Sequence, residues 1–460
     1  MGTRIERDAV GAVEVPEDAY YGAQTQRAAE NFPVSGRTFG RPFIGALGLV
    51  KESSAIVNAE LGLLPPGIAA AIRDAAHEVA EGKLDAHFVL DVFQTGSGTS
   101  TNMNANEVIA GRANEMLTGR RGGKEPVHPN DHVNLGQSSN DVIPTVIHVA
   151  SASLIVQRLI PALEKLLTRL SDKAAEFGSV MKIGRTHLQD AVPVSLGEEF
   201  GGYARQVELG IQRSKKAAEA LSEVALGGTA VGNGINTHPE FAGRVIELIS
   251  RKTGFNFREA QNHFEAQAAQ DSTVEASGGM KTVAVSLIKI ANDIRLMASG
   301  PRCGIGEISI PALQPGSSIM PGKVNPVMPE MVIQVAAQVI GNDATITFCG
   351  QGGYFELNTM LPVIALNLIE SIEILASAAG LFAEKCVAGI TANPERCRSY
   401  IEQSIALSTY LVPYVGYDRA SEISKEAFLT GKTIREVALE KAILPGAMLD
   451  KIFDGIKSGK

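Results

Sequence analysis

The segment Glu275–Ser299, with the sequence EASGGMKTVAVSLIKIANDIRLMAS, decides the predicted fold of this chain. Its apolar residues recur at intervals of three and four, as at Leu287, Ile290 and Ile294, and further apolar residues lie around the circumference. This spacing predicts a long α-helix. A helix that is apolar on most sides must be covered on most sides, so the segment is predicted to lie inside a larger helical assembly.

Neighbouring segments extend this pattern in both directions along the chain. They are Asp141–Leu170, Leu196–Val224 and Met331–Thr347. The sequence therefore predicts a mainly α protein whose central domain, residues 136–390, is a bundle of long helices completed by further copies of the chain. Shorter helical segments broken by proline and glycine predict a mostly helical N-terminal domain, residues 1–135, and a small helical C-terminal domain, residues 391–460.

The composition argues against several classes of function. The 460 residues carry a net charge of −8, with 5% aromatic residues and no tryptophan, which disfavours nucleic-acid and anionic membrane surfaces as partners. The four cysteines show no C-x-x-C spacing, so neither a zinc site nor a disulfide framework is predicted. The N-terminus has no apolar signal core, which predicts a cytoplasmic protein.

One segment, Leu361–Ile390, is apolar enough to raise the question of a membrane span. Asn367, Glu370, Glu373 and Glu384 interrupt it at spacings that suit a buried bundle helix better. No membrane partner is predicted.

Four clusters of small polar residues break the helical pattern, and each is predicted to precede a helix. The clusters are Thr95–Asn102, Gly136–Asp141, Gly184–Asp190 and Gly316–Pro326. Helix N-termini expose unpaired N–H groups and a partial positive charge, so such segments suit anion binding. Each cluster taken alone also suits ordinary helix capping, but four together favour a shared anion site.

The fourth cluster, GSSIMPGKVNP, is the most specific of the four, because capping requires neither adjacent serines nor a Pro-Gly-Lys turn. It is not a phosphate loop, since five residues separate its glycines and Val324 follows Lys323. The glycine-rich segment Gly227–Gly234 lacks the third glycine and the preceding strand of a dinucleotide site, and is predicted to be a structural turn.

With these four clusters, the chain resembles the class II fumarases of the fumarase and aspartase superfamily. The resemblance covers essentially the whole chain, from Tyr20 to Asp418, and the Gly316–Pro326 loop matches the superfamily signature. It implies three mostly helical domains, a homotetramer, and active sites built where segments of three subunits meet. It also implies reversible hydration of fumarate to malate in the tricarboxylic acid cycle, without a metal or cofactor.

The resemblance also assigns roles to individual residues. Ser317 would be the base acting on C3 of malate, Lys323 would stabilise the developing charge, and His187, paired with Glu330, would protonate the leaving hydroxyl. The residues that would bind the substrate carboxylates are Ser97, Gly98, Thr99, Ser138, Ser139, Asn140, Thr186, Ser318, Lys323, Val324 and Asn325.

A second, non-catalytic anion site is also implied by the resemblance. Its residues would be His128, Pro129, Asn130 and Asp131. Glu125 stands where the family commonly has a basic residue, which bears on the affinity of that site.

Two alternatives remain at this point. Aspartate ammonia-lyases share the scaffold, and Val327–Glu330 resembles them, whereas Thr95–Thr99, Ser138–Asp141 and Phe264–Ala269 resemble fumarases. A non-catalytic oligomeric scaffold on the same fold is the other alternative. The fumarase-like segments favour a fumarase over an ammonia-lyase, and the joint presence of the catalytic residue types disfavours a non-catalytic scaffold.

Overall fold

The computed structural model describes residues 2–457, with side chains to residue 455. Most of the described chain is helical, in keeping with the periodicity of the sequence. The α-helices in chain order are α1 (Ala23–Asn31), α2 (Arg41–Glu60), α3 (Pro66–Ala80), α4 (Thr99–Thr118), α5 (Ser139–Leu154), α6 (Ile160–Glu176), α7 (Leu196–Ala220), α8 (Phe241–Thr253), α9 (His263–Ala268), α10 (Asp271–Met297), α11 (Val327–Gly350), α12 (Leu361–Lys385), α13 (Pro394–Gln403), α14 (Val412–Val415), α15 (Tyr417–Thr430), α16 (Ile434–Glu440) and α17 (Gly446–Lys457).

The strands of the described chain form only two-stranded sheets. They are β1 (Thr3–Asp8), β2 (Gly11–Pro16), β3 (Met181–Thr186), β4 (Gln189–Ser195), β5 (Glu223–Val224), β6 (Arg258–Glu259), β7 (Ile308–Ser309), β8 (Gly353–Tyr354), β9 (Leu357–Asn358) and β10 (Thr391–Ala392). The pairs β1–β2, β3–β4, β7–β10 and β8–β9 are antiparallel, and β5–β6 is parallel. The mainly α prediction is confirmed.

The four long helices predicted from periodicity are present. The predicted helix at Asp141–Leu170 is α5, which continues through a single π-helical turn, Ile155–Leu159, into α6. The predicted helix at Glu275–Ser299 is α10, whose observed ends are Asp271 and Met297. Its residues Leu287, Ile290 and Ile294 are all buried, as their spacing requires.

Two helical segments are long and apolar enough, by length and composition, to cross a membrane. They are Ser139–Glu176 and Leu361–Gly389. In each, 61% of the apolar window is buried within the protein, as in the core helices of globular proteins.

The described chain divides into two compact units, each assembled from separate segments. The first unit comprises residues 2–161, 212–284 and 337–376, and the second comprises residues 162–211, 285–336 and 377–457. The division into three domains with boundaries near residues 135 and 390 stays a prediction.

Within the first unit, α2 packs against α3, α5 and α8, and α1 packs against α4. The buried carboxylate of Glu107, on α4, accepts hydrogen bonds from the N–H groups of Gly22, Gln24 and Thr25. A residue distant in sequence thus satisfies the exposed donors at the start of α1.

Within the second unit, α13 packs on β3, and the C-terminal helices enclose an apolar core of their own. Its buried members include Ile401, Leu411, Ile423, Ile434 and Phe453. This core and the β3–β4 hairpin belong to the same unit as the signature loop Gly316–Pro326.

Candidate active site

The first two polar clusters come together at the start of α4 and α5. The Thr99 Oγ1 atom lies 2.7 Å from Ser97 Oγ and 2.7 Å from Ser139 Oγ, so the three hydroxyl groups form a continuous chain. Gly96 lies against the backbone of Thr359 beside these hydroxyls. A Cβ atom at residue 96 would lie 1.9 Å from the carbonyl oxygen of Thr359, so this close approach requires glycine. Three hydroxyls from two helix N-termini therefore occupy one site, and the binding of an anion there stays a prediction.

The second cluster caps α5 with a capping box. Ser138 is the N-cap residue; its N–H donates to Asp141 Oδ1 at 2.9 Å, and its Oγ accepts from the N–H of Asn140 at 3.2 Å. The Asp141 Oδ2 atom accepts from the N–H groups of Gly227 and Thr229, both at 3.0 Å. Burial raises the pKa of Asp141, and these N–H groups act in the opposite direction.

The predicted structural turn at Gly227–Gly234 is therefore part of the support for α5. Besides the two N–H groups bound by Asp141, the carbonyl oxygen of Ala230 accepts from Asn140 Nδ2 at 2.8 Å. One N–H donor of the Asn140 side-chain amide is thus bonded to this turn. Ser139, the first residue of α5, remains partly exposed beside it.

The fourth cluster forms a loop whose two ends are tied together. The N–H of Gly316 donates to the carbonyl oxygen of Lys323 at 2.8 Å, and Asn325 Nδ2 donates to the carbonyl oxygen of Gly316 at 2.8 Å. A Cβ atom at Gly316 would lie 2.7 Å from the Lys323 carbonyl oxygen, so only glycine fits here. The loop leads directly into α11 at Val327.

Ser317 lies at the base of this loop with its hydroxyl held by the backbone. Its Oγ accepts hydrogen bonds from the N–H groups of Ile319 and Met320, at 3.2 and 3.0 Å. Two donors directed at one oxygen stabilise negative charge on that oxygen more than they stabilise the neutral hydroxyl.

The third polar cluster does not precede a helix, and the prediction of a helix-capping loop at Gly184–Asp190 was wrong. These residues form the end of β3, a two-residue turn and the start of β4. The turn residues His187 and Leu188 have φ angles of 56° and 60°, the geometry of a tight type I′ hairpin. Pairing between the strands satisfies the backbone groups here, so α7 begins only after β4.

A buried ion cluster anchors the hairpin that carries His187. Arg185 Nη1 lies 2.9 and 3.0 Å from the two carboxylate oxygens of Glu307, whose side chain is fully buried. Lys182 Nζ lies 3.3 Å from Glu307 Oε2 and 2.9 Å from Glu199 Oε1. Because this cluster is shielded from water, it resists displacement of the strand that ends beside His187.

The remaining predicted site residues are open to solvent. His187 and Lys323 are exposed and Glu330 is half-buried, and within residues 2–457 none of the three side chains has a hydrogen-bond or ion-pair partner. Thr186, Ser318 and Val324 are exposed as well. The described chain therefore does not pair His187 with Glu330.

Two family models and several known proteins match this chain over most of its length. A family model described as "Lyase" matches residues 11–341, and one described as "Fumarase C C-terminus" matches residues 407–457. The "Fumarate hydratase class II" proteins of Nitrosomonas europaea and Halobacterium salinarum are 54% and 57% identical over 451 residues. These residues cover 98% of this chain and 98% and 96% of the two relatives. The chain belongs to the class II fumarase family. A crystal structure of recombinant class II fumarase from Schistosoma mansoni superposes with a TM-score of 0.96, at 39% identity and 99% coverage of both chains.

The residues suggested for a second anion site in this class II fumarase form one π-helical turn, Pro129–Val133, capped by His128. His128 Nδ1 accepts from the N–H groups of Asn130 and Asp131, at 3.2 and 3.1 Å. It also lies 3.3 Å from Asp131 Oδ2, which places a carboxylate where an anion would bind. The second anion site stays a prediction.

Sequence reasoning missed two groups that support the fumarase site. One is the ion cluster of Lys182, Arg185 and Glu307 behind the His187 hairpin. The other is Lys51, fully buried on α2, whose ammonium reaches the turn that precedes Ser138. The available signal was a lysine directly after the apolar run Leu47–Val50 of α2, but only the packing shows what it contacts.

Proposed function

We propose that this chain catalyses the reversible hydration of fumarate to (S)-malate, as its class II relatives are named for doing. The observation that carries the proposal is Ser317 Oγ, which accepts two backbone N–H groups in the signature loop of a full-length fumarase-like chain. A hydroxyl held in this way is prepared to carry negative charge and hence to act as a base.

In the dehydration direction, Ser317 would remove a proton from C3 of malate. The electron pair left behind moves into the adjacent carboxylate and forms an aci-carboxylate. Lys323 and Asn325, from the same loop, would face that carboxylate. Preorganised donors at the position where charge develops provide the largest contribution to lowering such a barrier.

The leaving group would depart from C2 on the opposite face. His187 would donate a proton to the hydroxyl, directly or through a water molecule, so that water leaves and the double bond of fumarate forms. Its position on a tight hairpin anchored by Glu307 supports this role, because a rigid support keeps the proton donor in place.

The second carboxylate of the substrate would bind to the hydroxyl chain of the first unit. Ser97, Thr99 and Ser139 present three hydroxyls beside the N-terminus of α5, where the helix dipole favours an anion. Ser138 and Asn140 would add donors from the same helix end, and the hairpin residue Thr186 would complete this group.

We further propose that the active enzyme is a homotetramer in the cytoplasm, with each site shared between subunits. The side chains of His187, Lys323 and Glu330 lack partners within the described chain, as expected of residues that meet groups from another copy. In such an assembly Glu330 of one subunit would orient His187 of another.

The experiment that tests the proposal supplies purified protein with fumarate, with and without ammonium, and identifies the product. We expect malate in both conditions. Aspartate formed in preference to malate would instead establish an ammonia-lyase, and no turnover of fumarate or malate would leave a non-catalytic oligomer as the better description.

The Ser317→Ala variant tests the mechanism. Turnover should fall to background while the protein keeps its circular dichroism spectrum and oligomeric state. Ser309→Ala is the matched control: Ser309 belongs to the same unit, and its Oγ contacts the side-chain amide of Asn393, 3.4 Å from Oδ1 and 3.2 Å from Nδ2. Undiminished hydration by Ser317→Ala would rule out the assigned base.

A further inference from the structure

Lys51 is a fully buried lysine that the proposed mechanism does not use. It lies on α2 in the first unit with no measurable exposure. Its Nζ atom donates to Asn134 Oδ1 at 2.9 Å and to Gln137 Oε1 at 3.0 Å. Burying an ammonium group is costly unless its donors are satisfied, so a lysine kept at this depth calls for a reason.

The ammonium of Lys51 is hydrogen-bonded to neutral amide oxygens rather than paired with a carboxylate. Among the described residues, no carboxylate oxygen lies within ion-pairing distance of its ammonium. Burial lowers the pKa of Lys51 to about 7, and the carboxylate of Asp141 acts in the opposite direction. Asp141 is itself occupied by three backbone N–H groups. Positive charge under this loop is therefore only partly compensated.

Both acceptors of Lys51 lie in the turn that leads into α5. Gln137 immediately precedes the N-cap Ser138, and its carbonyl oxygen accepts from Asn134 Nδ2 at 3.1 Å. Its N–H in turn donates to the carbonyl oxygen of Asn134 at 3.0 Å. One ammonium thus holds both ends of the turn 134–137 and fixes the direction in which α5 begins.

Asn134 also connects Lys51 to α4. Its Oδ1 accepts from Asn102 Nδ2 at 3.2 Å and from Asn106 Nδ2 at 3.1 Å, in addition to Lys51. The helix that begins at Thr99 and the turn that leads into Ser139 are therefore joined by a single polar network. Among the described residues, Lys51 is the only cation that these hydrogen bonds connect to the network.

We propose that Lys51 is a positioning residue for dicarboxylate binding. It holds the 134–137 turn against α2 and, in its ammonium form, adds positive charge behind the N-terminus of α5, where the substrate carboxylate would bind. This inference rests on the proposed function, because it takes the α4–α5 hydroxyl group as the carboxylate site. Its charge and the helix dipole have the same sign at that point, so they reinforce each other.

The test compares Lys51→Met and Lys51→Gln, which remove the charge, with Lys51→Arg, which keeps it. Lys173→Met is the matched control: Lys173 is also buried, but its ammonium contacts Glu176 Oε2 on α6. For each variant the measurements are KM and kcat for fumarate, and the Kd for succinate, a dicarboxylate that cannot be hydrated.

We expect the neutral variants to raise KM and the succinate Kd by about tenfold or more, with kcat changed less than about threefold. Lys51→Arg should restore binding to within about threefold, and Lys173→Met should leave both constants unchanged. Folded neutral variants with unchanged KM and Kd would overturn the inference. Failure of both neutral variants to fold, with Lys51→Arg folded, would assign a purely structural role and overturn it too. Wild-type protein that binds succinate but does not hydrate fumarate would contradict the proposed function and leave the succinate comparison as the test of Lys51.

Discussion

Thr99 Oγ1 lies 2.7 Å from Ser139 Oγ, although 40 positions separate the two residues in the sequence. Each is the first residue of a long helix, so the contact aligns two helix N-termini side by side. The partial positive charges of the two helix N-termini repel each other. An anion or a set of hydroxyl groups between them offsets this repulsion. We therefore expect one substrate carboxylate to bind at this pair.

Replacing Thr99 by valine should weaken substrate binding with little loss of stability. The change removes the hydroxyl that joins Ser97 to Ser139 but keeps the volume of the side chain. A hydrogen bond to a charged group contributes about 1.5–3 kcal/mol, so kcat/KM should fall by roughly 10–100-fold. Steady-state kinetics measure this. Thr118→Val, at the other end of α4, is the control and should behave as wild type.

Replacing Glu307 by glutamine should destabilise the protein and slow the chemical step. Lys182 and Arg185 would then be left beside a neutral amide in a buried site. Breaking a buried ion cluster costs about 3–5 kcal/mol, and the hairpin that carries His187 should become mobile. Chemical denaturation and kcat report the two effects. Glu208→Gln, which removes an exposed pair with Arg205, should cost less than about 1 kcal/mol. Equal effects from the two variants would contradict this account.

Replacing Val285 by aspartate should disrupt the oligomer. Val285 lies on α10 and is 52% exposed in the single chain, on a helix that is otherwise apolar on most sides. If copies of the chain cover this face, a buried carboxylate there is costly and dissociation follows. Light scattering after size exclusion measures the mass, and activity should be lost together with the oligomer. Val10→Asp, at an exposed turn, should change neither. A fully active monomer would refute the shared-site proposal.

His148 should make the protein sensitive to acid in a defined interval. The ring is buried, with Nδ1 2.6 Å from the carbonyl oxygen of Glu223 and Nε2 3.1 Å from Ser272 Oγ. Burial lowers the pKa of His148 from 6.5 to about 4. The unfolded chain takes up this proton near pH 6.5 and the folded chain only near pH 4, so acidification across that interval favours unfolding.

Acidification from pH 6.5 to 4 should lower the free energy of unfolding by roughly 3 kcal/mol through His148 alone. The glutamine in His148→Gln cannot titrate. Between pH 6.5 and 4, unfolding of the variant should therefore take up one proton fewer than unfolding of the wild type, so its free energy of unfolding should change less with pH. Urea unfolding at pH 7.5 and 4.5 measures the difference between the two proteins. Parallel pH dependence for wild type and variant would show that His148 is not the responsible group.

The long helices and the family could be predicted from the sequence because both signals are local. In α10, the spacing of Leu287, Ile290 and Ile294 predicts one buried face wherever the helix packs. The loop Gly316–Pro326 could likewise be recognised because its glycine and asparagine close the loop on itself, through contacts within eleven residues. Such patterns need no knowledge of the rest of the fold.

The Gly184–Asp190 segment shows where local reasoning failed. Its polar residues suit a helix N-terminus as well as a hairpin, and the choice depends on strand pairing and on Glu307, 122 positions from Arg185. Propensity differences between the two states amount to less than about 1 kcal/mol per residue, so tertiary contacts decide.

By itself, then, the sequence determined that this is a mainly α protein of the class II fumarase family, and it predicted which polar segments would carry the chemistry. Only the tertiary structure decided that Thr99 meets Ser139, that His187 is carried by an anchored hairpin, and that Lys51 is buried beneath the α5 N-terminus. The physical reason is that helix periodicity and loop closure depend on neighbours in the chain. The pairing of hydroxyls and the burial of charges depend on segments that packing brings together from distant positions.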